Sequence, residues 1–147
     1  MRYMFIVKGS ENLAESGPPP ASLMEAIDKL GAEATKSGKM VSFGGLKPTA
    51  TGARVRLVNG KLITTDGPFT ESKEVIGGFT IMNLASREEA LEAAREFMEL
   101  HRVHWPAWQG ETEIREMYEE ADDVRATQIE GSRQLEHAGG GQGHEAR

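Results

Sequence analysis

The residues most able to do chemistry crowd into one stretch, "TTDGPFTESKEVIGGF", residues 64–79. Asp66 opens it, Gly67-Pro68 and Phe69 follow, and Glu71, Lys73 and Glu74 mix charges directly after. An aspartate raised in pKa by burial can move a proton; one left ionised can hold a cationic or hydroxyl-bearing ligand. Lys73 could turn in beside it. The same residues also make an ordinary turn, with the Asp66 carboxylate accepting backbone N–H bonds and Phe69 anchoring the loop. The loop is stiff in either case. Gly67 is driven extended by the proline after it, and Pro68 has a fixed φ and no N–H. Gly77-Gly78 permits either a close backbone approach or a tight entry to the next strand.

Upstream, "ARVRLVNGKLITTDG" places two alternating runs around Asn59-Gly60, the favoured pair for a two-residue type I′ hairpin. Pairing across that turn sets Lys61 opposite Val58 and brings Asp66 near Ala53 and Arg54. Arg54 and Arg56 alternate with Val55 and Leu57 and so share one side. An Arg54–Asp66 pair would hold the carboxylate ionised, as a binding group and a poor base at neutral pH. The candidate ligand pocket is therefore Arg54, Arg56, Asp66, Gly67, Pro68, Phe69 and Lys73, with Asp66 the one candidate catalytic group.

Other chemistries are not supported. His101 and His104 stand at i, i+3 in "HRVHWPAW", but no third ligand has a recognisable spacing, so no metal site is expected. The two histidines suit the C-terminal end of a helix, and Trp105 and Trp108 are expected to pack at a dimer seam or over the sheet edge. His137 and His144 fall in a polar tail. The chain has no cysteine, hence no disulfide, thiolate ligand or Cys nucleophile. No G-x-S-x-G elbow occurs. The Gly-Gly-Gly of the tail follows no strand and is not a phosphate loop. No cofactor is predicted.

The elements that must position these residues are legible from periodicity. "RYMFIVKG" is a first strand with apolar residues on both faces, Tyr3, Phe5 and Val7 against Met4 and Ile6, and so a central one. "SENLAESGPPP" is a loop. A helix follows, expected to be capped by Ser22 with Glu25, its stripe Leu23, Ile27, Leu30 and Ala34, ending near Gly38. "KMVSFGGL" is a strand, "GLKPTATGA" a loop, then comes the hairpin. "GFTIMNL" is a strand. "SREEALEAAREFMELH" is a helix with a Ser86–Glu89 capping box. "ETEIREMYEE" is a last strand, with Ile114 and Tyr118 on one face. From residue 121 the apolar pattern stops, so the chain divides into a domain over 1–120 and a polar, Gly-rich extension over 121–147.

The order β-α-β-hairpin-β-α-β predicts an α+β fold. Its core is a split βαβ ferredoxin-like unit with one hairpin strand added, in which an antiparallel sheet carries both helices on one face. The other sheet face needs a cover, and a second copy of the sheet is the simplest one, giving a homodimer. Of 147 residues, 38 % are hydrophobic and 27 % charged. Net charge is −6, which argues against a nucleic-acid partner. No apolar run approaches the roughly 20 residues of a membrane span. The start reads as a strand and not as a signal peptide, and a cytoplasmic location is expected.

The segment "DGPFTESKEVIGGF" closely resembles the signature of the DGPF family within the YCII-related superfamily, DGPF-[A/T]-E-[T/S]-K-E-x-[I/L]-G-G-[F/Y]. Asp66, Gly67, Pro68, Phe69, Glu71, Lys73, Glu74, Gly77 and Gly78 match it. "RYMFIVKG", "GGLKPTATGARVRLVNGKLITTDGPF" and "HRVHWPAWQGETEIREMYE" extend the likeness over roughly residues 1–120. The resemblance implies a ferredoxin-like fold and a dimeric α/β barrel-like assembly. It also implies a regulatory association with sigma factors of the extracytoplasmic-function type. It implies no settled activity. The wider superfamily pairs a histidine with an aspartate in its pocket; here every histidine lies at 101 or beyond, so that partner is missing near the N-terminus. The expected function is a small-molecule-binding or regulatory module with a pocket rimmed by the DGPF loop. The alternative is a cofactor-free lyase, isomerase or hydrolase using Asp66.

Overall fold

The computed structural model describes residues 1–69 and 74–119. The described residues of its unit Met1–Glu116 hold ten elements. In order they are β1 (Arg2–Gly9), α1 (Leu13–Ser16), α2 (Ala21–Lys36), β2 (Met40–Gly45), a 3-10 turn (Thr49–Thr51), β3 (Ala53–Val58), β4 (Lys61–Asp66), β5 (Val75–Asn83), α3 (Arg87–His104) and β6 (Gly110–Glu116). The second unit starts at Met117, and residues 120–147 lie outside the described residues.

Four strands form one antiparallel sheet in the order β2-β5-β1-β6. That is the ferredoxin-like arrangement, with β1 central as its two apolar faces require. The hairpin β3–β4 stands apart as a two-stranded ribbon. The expected addition of a hairpin strand to the main sheet is therefore corrected: both hairpin strands leave it. The physical reason is the partner strands. Among the described residues the outer edges of β2 and β6 have no strand partner, while β3 and β4 satisfy each other from Ala53↔Asp66 to Val58↔Lys61. Asn59 and Gly60 both take positive φ, 51° and 75°, as a type I′ turn demands.

Local chemistry sets the helix ends. α2 stops in a Schellman motif: Gly38 sits at φ 77°, its N–H donates to the Thr35 carbonyl, and Lys39 N–H donates to the Ala34 carbonyl at 3.0 Å. Its start differs from expectation. Pro20 is the cap residue, at φ −63° and ψ 146°, and its carbonyl already accepts from Leu23 and Met24, so Ser22 is inside the first turn. α3 keeps its box with a shift. The Ser86 hydroxyl accepts from Glu89 N–H at 3.1 Å, while the Glu89 carboxylate accepts from Ala85 N–H at 2.8 Å.

Both helices cover the face of Tyr3 and Phe5. Those two side chains pack with Leu84, Ala90 and Ala94, and Met82, Ala93 and Ile114 close around them. Ile114 stands opposite Phe5, as its register to β1 requires. Tyr118 does not continue that face: β6 ends at Glu116, paired with Tyr3. Tyr118 is exposed. On the opposite face Met4, Ile6, Phe79 and Ile81 lie half-buried at the centre of the sheet, by alternation and register.

Candidate functional site

Two places could hold a ligand: the DGPF loop with its hairpin, and a cavity under the helices. The loop is anchored from two sides. Glu11, in the β1–α1 connection, accepts hydrogen bonds from both the N–H and the hydroxyl of Thr49, the latter at 2.7 Å. Thr49 Oγ1 in turn accepts from Phe69 N–H at 3.2 Å. Gly67 N–H donates to the Gly52 carbonyl at 2.9 Å. Gly67 is there because nothing larger fits: a Cβ would lie 1.7 Å from the Thr49 carbonyl oxygen. The Gly67–Pro68 peptide is cis.

The predicted site residues separate. Asp66 pairs with Ala53 and Arg54 with Thr65, so alternation puts Asp66 and Arg54 on opposite faces of the ribbon. Arg54 instead lies over the ring of Phe69, 3.8 Å from its centroid, a cation–π contact that ties β3 to the loop. Arg56 shares the Arg54 face and is exposed, as is Asp66. Pro68 is exposed, Gly67 and Phe69 half-buried. Lys73, with Glu71, lies outside the described residues.

The cavity is elsewhere. It measures about 900 Å³ and lies between the sheet and the two helices. Phe5, Val7, Phe43, Thr80 and Met82 form its floor from three strands, and Ile27, Leu30, Ala93 and Phe97 its helical walls. None of Arg54, Arg56, Asp66, Gly67, Pro68 or Phe69 lines it. The helical stripe of α2 does face inward, but only Leu23 is fully buried; Ile27, Leu30 and Ala34 are half-buried and border open space. Gly31 sits among them, and a Cβ on it would meet nothing within 4 Å. A glycine inside a helix, next to the inward stripe, was the one sequence signal for this cavity, since it gives up helix stability without a steric need.

Charge gathers at the helical rim. Lys39 reaches Glu89 at 2.8 Å, and that ammonium, with the Ala85 N–H, holds the Glu89 carboxyl below the usual carboxylate range. Across the sheet, Lys8 bonds to Glu113 at 3.3 Å, which raises its pKa. Among the described residues no three His, Asp or Glu side chains come together as a metal site.

The histidines and tryptophans make a packed end. His101 is buried, its Nδ1–H donates to the Phe97 carbonyl at 3.0 Å, and burial pushes its pKa down. Its ring lies between Phe97 and Trp108, 4.6 and 4.7 Å between centroids. Trp105 stacks on Trp108 and its indole N–H donates to the Ser16 carbonyl at 2.7 Å. Trp108 covers the Gly9↔Gly110 pair where β1 meets β6. A Cβ on Gly110 would come within 2.2 Å of its ring.

Comparison with known proteins names the family and no activity. An uncharacterized protein of Rhizobium meliloti (strain 1021) is 41 % identical over 61 residues, 42 % of this chain and 49 % of that one. The match thus spans about half of the curated relative's length. Among solved structures, a 5-chloro-2-hydroxyhydroquinone dehydrochlorinase of Burkholderia phenoliruptrix AC1100, in complex with 2,5-dihydroxybenzoquinone, aligns with a TM-score of 0.36 and 18 % identity. That alignment covers 84 % of this chain and all of the other. No helix among the described residues is long and apolar enough to cross a membrane. The model of the YCII-related domain matches residues 1–99, and the chain belongs to the YCII-related family.

Proposed function

We propose that the chain is a small-molecule-binding module whose site is the cavity between the sheet and its two helices. The supporting observation is the cavity itself. At about 900 Å³ it falls within the range of about 300–1,000 Å³ usual for ligand pockets. Its walls are aliphatic and aromatic, with a few polar groups to orient a guest. A well-packed interior leaves no such space, so a guest is the natural occupant. A thermal-shift screen of ring-sized apolar fragments tests it, on wild type and on Gly31→Leu, whose added side chain enters the cavity. Melting shifts in wild type that vanish in Gly31→Leu are expected. Equal shifts in both proteins would remove the cavity as the site.

The working unit we propose is a homodimer, with the open sheet face of Met4, Ile6, Phe79 and Ile81 covered by a second copy. Sedimentation showing a monomer at micromolar concentration would refute it. The DGPF motif places the chain, in our reading, in the branch that bears it. The loop's part is then to hold the ribbon, through Glu11, Thr49 and the Arg54–Phe69 contact. The second reading, an Asp66-based enzyme, draws on the same clamp, since a fixed loop is what a positioned carboxylate needs. Asp66→Asn that binds and turns over every compound as wild type does would end it.

A further inference from the structure

The cavity's walls are apolar but its mouth is acidic. Asp28 and Glu33 on α2 and Glu89, Glu92 and Glu96 on α3 border it, against Lys36 and Lys39. Lys39 is bound to Glu89, so that pair compensates itself. Asp28, Glu33, Glu92 and Glu96 then stand against Lys36, and Glu92 and Glu96 are the two carboxylates that fall together on α3. They are exposed, they follow Glu89 at helical spacing with Ala93 and Phe97, and so they share the face of α3 that borders the cavity. Among the described residues neither enters an ion pair. Two carboxylates one turn apart repel each other and weaken a helix. A cation placed between them relieves that repulsion. Deeper in, the Thr80 hydroxyl lines the floor and makes no side-chain hydrogen bond among the described residues. Thr112 is occupied, donating toward the Met98 sulfur at 3.2 Å.

We infer that the cavity takes an aryl-alkyl ammonium compound, its ring against Phe5, Phe43 and Phe97 and its cation at Glu92 and Glu96, and selects against carboxylates and phosphates. The inference rests on the cavity being the binding site, and it adds the ligand's charge. The ring supplies the gain from apolar burial, and the aromatic walls suit a flat body. The carboxylates supply the discrimination. Each unit charge attracts the cation more strongly at a partly shielded mouth than in open water. An anion of the same shape meets that field with the opposite sign.

Three matched probes separate the outcomes: 1-naphthylmethylammonium, 1-naphthylmethanol and 1-naphthoate, titrated calorimetrically into the full chain. The ammonium is expected to bind about tenfold more tightly than the alcohol, about 1.4 kcal/mol, and the carboxylate more weakly than both. Raising the salt concentration should shrink that preference and leave the alcohol unchanged. Glu92→Gln with Glu96→Gln should reduce the ammonium to the alcohol's affinity. Gly31→Leu, or Thr80→Leu should the first not fold, should abolish all three. A carboxylate that binds as well as the ammonium overturns the inference while leaving the cavity as a site. So does an ammonium preference that survives the double glutamine variant. Failure of all three probes overturns the cavity reading and the inference with it.

Discussion

Strands β1 and β3 each present an apolar face and meet opposite fates. Tyr3 and Phe5 of β1 are 4 % and 5 % exposed, whereas Val55 and Leu57 of β3 are 67 % and 72 % exposed. Both strands are fully hydrogen-bonded to a neighbour over most of their length. The difference is the second layer. α3 brings Ala90 and Ala94 onto β1, and nothing comparable packs on the ribbon among the described residues. Alternation makes a face apolar; only a covering element turns that face into stability. A two-stranded ribbon alone is marginal in water, so β3–β4 relies on its ties at Thr49, Gly52 and Phe69.

The largest effect should come from the packed body. Phe5→Ala removes a ring at the centre of the sheet and should cost about 3 kcal/mol in urea unfolding. If it costs less than about 1 kcal/mol, the cavity beside it has already taken its packing away. Gly67→Ala comes next, at about 1–3 kcal/mol, because its methyl collides with the Thr49 backbone and forces the loop off its seat. Hydrogen exchange should then show β3 and β4 opening while β1 and β5 stay protected.

His101 gives the packed body a dependence on pH. Burial lowers its pKa in the folded chain, so below the unfolded value of about 6.5 the unfolded chain binds a proton that the buried ring refuses. Stability is therefore present above that pH and is lost as pH falls toward the folded pKa. Comparing unfolding at pH 5 and pH 8 for wild type and His101→Phe should show a shallower loss in the variant. A smaller change of opposite sign is expected at Gly31→Ala, a gain of about 0.5–1 kcal/mol, since the helix improves and the methyl meets nothing. Smallest of all, Leu57→Ser on the exposed ribbon should stay within about 0.5 kcal/mol in dilute protein.

Much of the framework was readable residue by residue. Asn59-Gly60 announced the hairpin and its register, Gly38 the end of α2, and Ser86 the start of α3. Tyr3 and Phe5 were identifiable as one face of a central strand. Other expectations failed for reasons outside their own segments. Ser22 lost the cap because the cap falls two residues before it, on Pro20. Tyr118 fell outside the last strand, which ends at Glu116 opposite Tyr3. Arg54 and Asp66 looked like an ion pair from proximity along the hairpin, yet one step of register places them on opposite faces. The cavity was invisible apart from Gly31, because its lining is drawn from β1, β2, β5, β6 and both long helices.

What the chain alone determined is local: the order of elements, their ends, their apolar faces and the family signature from Asp66 to Phe79. These depend on backbone geometry and spacing within about ten residues, which sequence states directly. Tertiary structure decided which apolar face received a cover, that the hairpin left the sheet, and that α2 stands off the sheet far enough to leave space. Periodicity says which way a side chain points; it carries no information on how far away the next layer will be.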